Sequence, residues 1–340
     1  LFVFFEVLLA ASYGLALHGS GKSRVKASLH YVAVNLASSS LFLIGATAIY
    51  GVAGTLNMAD LAIRIPLLAP GEQALFQAGA ALLGVAFLVK AGMWPLGMWL
   101  PTTYAAAAPP VAAMFAILSK VGVYVILRLS SLFFGETAGS SAHFGDLVLQ
   151  YGGLATIAFG TVGVLASQGA TRIACFSVMV SSGTLLAMIG FGEAGVTAGA
   201  LYYLVGSTLG LACLFLLAEL MARGRSPGDD VLAVTLEAYG DDDETEHSED
   251  VGGATPASFA ALGIAFVCCV ILVAGMPPLA GFLGKFAMID AMLDLGTGPE
   301  IEVSGIVWLT SAVLIISGLA ATIALMRSGI NTFWVSLDGV

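Results

Sequence analysis

Three lysines and one glutamate interrupt runs that are otherwise apolar: Glu6 in LFVFFEVLLAASYGL, Lys90 in FLVKAGMWPLGMWLP, Lys120 in PPVAAMFAILSKVGVYVILRL and Lys285 in GMPPLAGFLGKF. A charge at the centre of a hydrocarbon core costs on the order of 2.5 to 3.5 kcal/mol on insertion scales, so three such lysines require an explanation. Lys120 lies about eleven residues into its run, roughly 16 Å deep at ~1.5 Å per residue. Snorkelling accounts for Arg128 and Glu219 near the ends of their runs but works poorly for Lys120. The chemistry open to these groups is proton transfer. A lysine whose carboxylate partner moves, or whose cavity changes hydration, can take up and release a proton. Glu6 with Lys90, then Lys120, then Lys285, would form such a relay. The bland reading is a structural ion pair, for which Glu6 is the only carboxylate placed well inside a run early in the chain.

Two of the lysines stand beside matched interruptions. AGMWPLGMWLP from Ala91 recurs as AGMPPLAGFLGK from Ala274, with AGM, a proline and a leucine in register. Gly92 and Pro95 mark the first expected helix break; Gly275, Pro277 and Pro278 mark the second. Ordinary proline kinks are one reading, since proline alone bends a helix. The other is an inverted-topology repeat, in which Gly/Pro-interrupted helices at corresponding positions flank a transport site. Unwound turns there would leave backbone carbonyls able to hold water or a cation.

The elements that carry these residues follow from composition. Hydrophobic residues make up 59% of the 340, charged residues only 10%, and mean hydropathy is +0.97, which places the chain among integral membrane proteins. Apolar runs predict an all-α fold with about nine transmembrane helices, at residues 1–17, 29–52, 74–95 with a continuation to 105, 109–134, 148–166, 173–192, 197–220, 257–290 and 304–326. In that count the two breaks lie five spans apart, an odd number, so the copies cross in opposite directions. Residues 1–134 and 135–326 are then two inverted repeats. An acidic cytoplasmic loop at 221–256 interrupts the second, and 327–340 begins a truncated C-terminal region. If the spans alternate, Lys22, Arg24, Lys26, Arg172, Arg223, Arg225 and Arg327 share one side and only Arg64 and Arg128 face the other, which makes the first side cytoplasmic.

Several function classes are disfavoured. The net charge of −10 is local, because ten of the 22 acids lie between Asp229 and Asp250; such a run reads as a solvated excursion. Cys175, Cys213, Cys268 and Cys269 lie inside spans without metal spacing, and His18, His30, His143 and His247 are scattered in or beside loops. No phosphate loop, nucleophile elbow or dinucleotide fingerprint is present, so no catalytic residue, metal, cofactor or nucleic-acid partner is expected.

With these residues in view, the chain resembles the antiporter-like membrane subunits shared by respiratory complex I and the Mrp-type monovalent cation/proton antiporters. FFEVLLAASY, KAGMWPLGMWLPTTYAAAAPPVAAMFAILSKVGVYVILR, RIACFSVMVSSG and GMPPLAGFLGKF carry the resemblance, which is strongest to the D-type member of the Mrp antiporters. The resemblance implies that Glu6, Lys90, Lys120 and Lys285 are the glutamate of a fifth helix and the lysines of a seventh, eighth and twelfth. It also implies about four helices before Leu1 and at least one after Val340. The implied role is a proton-translocating subunit exchanging Na+ or K+ for protons, working with other subunits of a complex in the lipid bilayer of the cell inner (plasma) membrane. The competing roles are a proton-pumping subunit of an NADH:quinone oxidoreductase and a non-transporting scaffold subunit. One departure stands in YYLVGSTLGLACLFLL, where Gly206 replaces a histidine common in the family, so a water-mediated or altered link is expected there.

Overall fold

The computed structural model describes residues 2–18, 21–224, 257–294 and 304–333. The acidic loop, Arg225 and His247 lie outside the described residues. Twelve α-helices follow in order: α1 Phe2–Leu17, α2 Lys22–Ala53, α3 Met58–Arg64, α4 Pro70–Ala91, α5 Trp99–Ala106, α6 Pro109–Phe133, α7 Asp146–Ala166, α8 Ala170–Ile189, α9 Ala194–Gly224, α10 Ala257–Ala274, α11 Ala280–Asp294 and α12 Gly305–Phe333. Among the described residues there is no strand.

The ends of the helices follow from local chemistry. Proline opens α4 at Pro70, where the Glu72 carboxylate accepts the Ala69 N–H at 3.2 Å, and Pro109 opens α6; proline suits a first turn because its missing N–H would have no partner there. Asn57 caps α3 by accepting the Ala59 N–H at 3.0 Å. Arginines close helix C-termini on both sides of the bundle. Arg24 donates to the Ala106 carbonyl at 2.7 Å, Arg327 to that of Leu165 at 3.0 Å and Arg64 to that of Ala53 at 3.0 Å. A cation there meets the carbonyls that the helix leaves unpaired. Three of the residues that set the expected orientation, Arg24, Arg64 and Arg327, therefore also tie helix ends together.

Among the described residues seven helices are long and apolar enough to cross a membrane, and the apolar stretches Glu6–Leu17 and Ala260–Ala274 are shorter. The expected count of about nine thus resolves into seven full-length helices and two shorter ones. The expected eighth span is divided because Pro277 and Pro278 cannot extend the hydrogen-bond ladder of α10. α2 begins at Lys22 rather than 29, and α12 continues to Phe333, beyond the expected end at 326.

α8 is the centre of the bundle: 89% of its apolar window is buried, against 33% for α2. Its approach to α7 depends on missing side chains. A Cβ on Gly153 would stand 2.4 Å from the Ala187 nitrogen, and one on Gly183 would stand 2.8 Å from the Gly153 carbonyl. Outward faces are apolar instead, with Leu36, Leu43 and Ile44 on α2 and Trp308, Ile315 and Leu319 on α12 exposed, as a lipid-facing surface requires. Replacing Gly153→Leu should destabilise the protein by about 1 to 3 kcal/mol through overpacking, read as a lowered Tm of the detergent-solubilised protein. An unchanged Tm would mean that α7 and α8 do not meet this closely.

Candidate functional site

The two expected breaks fall between α4 and α5 and between α10 and α11, and their backbones match. Gly92 and Gly275 each have a φ of 79°, the left-handed conformation that suits glycine at the end of a helix. The next N–H turns back over five residues in both: Met93 to the Leu88 carbonyl at 3.1 Å and Met276 to that of Ile271 at 2.9 Å. Pro95 and Pro278 then occupy the positions whose N–H would have served the carbonyls of Ala91 and Ala274, and both follow cis peptide bonds.

Side chains complete the breaks differently. At the first, Trp99 Nε1 donates to the Val89 carbonyl at 3.1 Å and the Trp94 N–H reaches Thr156 Oγ1 on α7 at 2.9 Å. At the second, the Lys285 ammonium donates to the Ala274 carbonyl at 3.0 Å. A carbonyl expected to be available for water or a cation is thus taken by the lysine. Gly275 makes room for it, since a Cβ there would lie 2.8 Å from Lys285 Cδ; on α12, Gly318 does the same, with 3.3 Å to Lys285 Nζ.

All three lysines are buried, with 6%, 3% and 8% exposure for Lys90, Lys120 and Lys285. Their partners are distinct. Lys90 has Glu6 on α1 as an electrostatic partner, and Glu6 Oε1 is itself buried without a hydrogen bond among the described residues. Lys120 sits near the middle of α6 and points into α8, donating to Ser182 Oγ at 2.9 Å and to the Val178 carbonyl at 3.3 Å. Lys90 thus has a carboxylate near enough to act on it electrostatically, whereas Lys120 and Lys285 have neutral hydrogen-bond partners of their own.

A small cavity lies beside each end of the set. One of about 30 Å³ is lined by Lys90, Tyr31, Asn35, Tyr104 and Ser119. The other, of about 20 Å³, is lined by Lys285, Ser177, Ser181, Tyr203, Ser207 and Ser317. A water needs about 10 to 15 Å³ of such space and two to four polar partners, so each can hold one or two. A wider cavity of about 850 Å³, lined by Lys26, His30, Thr102, Ser167 and Arg172, opens on the side marked by the basic residues. Among the described residues no three His, Cys, Asp or Glu side chains are placed to hold a metal.

Sequence reading missed Ser182, the serines of the second cavity and Trp99. A signal was present in CFSVMVSSGT, where Ser177 and Ser181 are four residues apart and so share one helix face.

Residues 1–313 match the family described as NADH:quinone oxidoreductase/Mrp antiporter, TM. The chain belongs to this family. It is 60% identical, over all of its length and 63% of the relative's, to a Rhizobium meliloti protein described as a probable D-type component of a K(+)/H(+) antiporter. It is 33% identical, over 98% of its length and 61% of the relative's, to the D-type component of the Na(+)/H(+) antiporter of Bacillus subtilis. The chain thus spans about three fifths of the length of these relatives. A chain in the structure of the Mrp complex from a Dietzia species superposes with a TM-score of 0.75 at 25% identity, covering 98% of this chain and 56% of that one. In keeping with the family and its apolar helices, this is a multi-pass membrane protein.

The breaks yield a paired test in this family member. Gly92→Ala and Gly275→Ala should each cost about 1 to 2 kcal/mol, because a left-handed φ is strained for alanine. A Cβ meets a side chain at 2.8 Å in both, Leu100 Cδ1 at Gly92 and Lys285 Cδ at Gly275, but only Gly275→Ala removes a hydrogen bond, leaving the Ala274 carbonyl without its donor, and should cost about 1 to 3 kcal/mol more. Thermal unfolding of both variants in detergent checks this; equal losses would show that the lysine does not hold the second break.

Proposed function

We propose that this chain is the proton-translocating part of one subunit of a multisubunit monovalent cation/proton antiporter, a transporter component rather than an enzyme. It works beside other subunits in a bacterial plasma membrane. The observation that carries this reading is the set of three lysines, each less than a tenth exposed, in the interior of a helical bundle whose outer faces are apolar. The names of its relatives supply the two ions. Potassium is the cation to test first, because the relative sharing 60% identity carries it in its description.

Glu6, Lys90, Lys120 and Lys285 serve as the relay. Lys120 and Lys285 rest on partners that suit both protonation states. The Ser182 hydroxyl can accept from an ammonium or donate to an amine, and a carbonyl accepts from either. A carboxylate partner would instead hold the charge in place. Among the described residues only Lys90 has one, which makes the Glu6 end of the path the natural place for a resident charge. Water in the two small cavities would connect the lysines to neighbouring groups, and the basic-lined opening near α5 would give access from the cytoplasmic side. On this reading residues 1–134 and 135–326 are the inverted repeats, supported by the shared backbone of the two breaks.

The second reading, a proton-pumping component of an NADH:quinone oxidoreductase, is favoured only by the family description, which covers both kinds of complex. Vesicles containing the full complex discriminate them. A potassium or sodium gradient should drive proton movement without NADH, and Lys120→Ala should reduce that movement at least tenfold with assembly intact. Normal exchange in the Lys120→Ala complex would leave only a scaffold role; flux driven by NADH oxidation and not by a cation gradient would replace the antiporter reading with the second one.

A further inference from the structure

Basic residues on the side expected to be cytoplasmic are used in two ways. Arg24 and Arg327 are committed to helix ends: Arg24 Nε donates to the Ala106 carbonyl at 2.7 Å, and Arg327 Nη2 donates to the carbonyls of Leu165 and Ser167. Lys26, His30 and Arg172 instead line the cavity of about 850 Å³ between α2, α5 and the place where α7 turns into α8. None of these three makes an ion pair among the described residues, where the pairs are Arg64 with Asp60 and His143 with Asp146. No described carboxylate lines the cavity, and α8 begins there without an acidic residue in its first turn.

The arrangement suits an anion. Lys26 and His30 are four residues apart and share one face of α2, while Arg172 comes to the same space from α8. The two hydroxyls of the lining are already engaged: Thr102 Oγ1 donates to the Trp99 carbonyl at 2.9 Å and Ser167 Oγ to that of Gly163 at 2.7 Å. The free donors are therefore the ammonium, the imidazole and the guanidinium, a set that matches phosphate oxygens. Arg327 pins the turn that carries Arg172, so the site is held open from both sides of that turn.

The border of the cavity points to a lipid rather than a soluble anion. Leu29, between Lys26 and His30 in sequence, is 62% exposed, and Val162 and Leu165, beside the lining residues Gly163 and Ala166, are 67% and 41% exposed. A soluble anion would use none of this apolar surface. A phospholipid would use both parts, its phosphate in the cavity and its chains on the border.

We propose that this cavity binds an anionic phospholipid of the cytoplasmic leaflet, its phosphate held by Lys26 and Arg172 with His30 beside it. Basic pockets between membrane helices on the cytoplasmic side attract such headgroups. The bound phosphate also offsets the charge of the mouth. Left uncompensated, Lys26 and Arg172 would repel the protons and monovalent cations that the proposed function brings to this side. That role rests on the access assigned to the cavity above; the binding does not.

The test compares the full complex with its Lys26→Gln/Arg172→Gln form, each stripped with detergent and then exchanged with phosphatidylglycerol or phosphatidylcholine. Native mass spectrometry follows the lipid retained. The double variant should lose one phosphatidylglycerol site, seen as binding at least tenfold weaker there, whereas Lys26→Arg/Arg172→Lys keeps both charges and should keep the site. Equal retention of phosphatidylglycerol by wild type and double variant overturns the proposal. So does an equally large loss of zwitterionic phosphatidylcholine, which would show that charge is not what holds the lipid. Displacement of phosphatidylglycerol by inorganic phosphate at equal concentration would assign the cavity to a soluble anion and overturn it as well. If the double variant does not assemble, the single exchange Lys26→Gln, at an exposed position, decides by the same measurement. Transport separates the role from the site. Cation-driven proton movement in vesicles should fall at least threefold when phosphatidylcholine replaces phosphatidylglycerol, and the double variant, its mouth already less charged, should respond less. A site confirmed by binding but with rates indifferent to phosphatidylglycerol upholds the lipid and sinks the access reading alone.

Discussion

A proline that ends an intramembrane helix leaves a carbonyl four residues earlier with no backbone donor, and in the interior of a helical bundle that carbonyl has no bulk water to turn to. Ala274 is in this position because residue 278 is proline, and Lys285 supplies the missing donor. Much of the second half of the site follows from that one contact. The lysine lies against Gly275 and Gly318, whose missing side chains leave it room to reach the end of α10 from α11 beside α12. It also fixes the ammonium at the wall of the serine-lined cavity rather than at the lipid-facing surface.

The first break meets the same constraint by other means. Its backbone follows the same course, but the lysine precedes it. In register with the second copy, Lys285 corresponds to Thr102 and Lys90 to Val273. An indole N–H therefore closes the end of α4, and Lys90 is left to Glu6 and a cavity lined by Tyr31 and Tyr104. Two breaks with one backbone geometry thus place their lysines on opposite sides of the turn. One lysine holds a break together and the other does not, so they are open to different partners.

α8 connects these halves because it is the most enclosed helix of the bundle and is rich in hydroxyls. Small residues let α7 come close on one side, and Lys120 reaches α8 from another. In a helix so enclosed, a serine faces a partner, a cavity or a cost, and α8 shows each. Ser182 has Lys120, Ser181 has Ser207, and Ser177 has only the cavity.

The sequence by itself determined the membrane class, the all-helical architecture, the positions of both breaks, the three buried lysines and the family. Each of these depends on composition, on run length or on residues close together in the chain: proline and glycine act on their own backbone, and a lysine in an apolar run is visible without knowing its neighbours. Run length could not say which spans cross at full length: seven do among the described residues, while Glu6–Leu17 and Ala260–Ala274 are shorter. Only the tertiary structure decided which partner each lysine takes. Ser182 is 62 residues from Lys120, and Thr156 is 62 residues from Trp94. Nor could the chain alone show that Ser177, Ser181, Ser207 and Ser317 face one water-sized space, because that depends on how three helices are rotated against one another. Such rotations are set by close approaches between distant small residues, such as Gly153 with Gly183 and Gly206 with Ala280, and no local pattern encodes them.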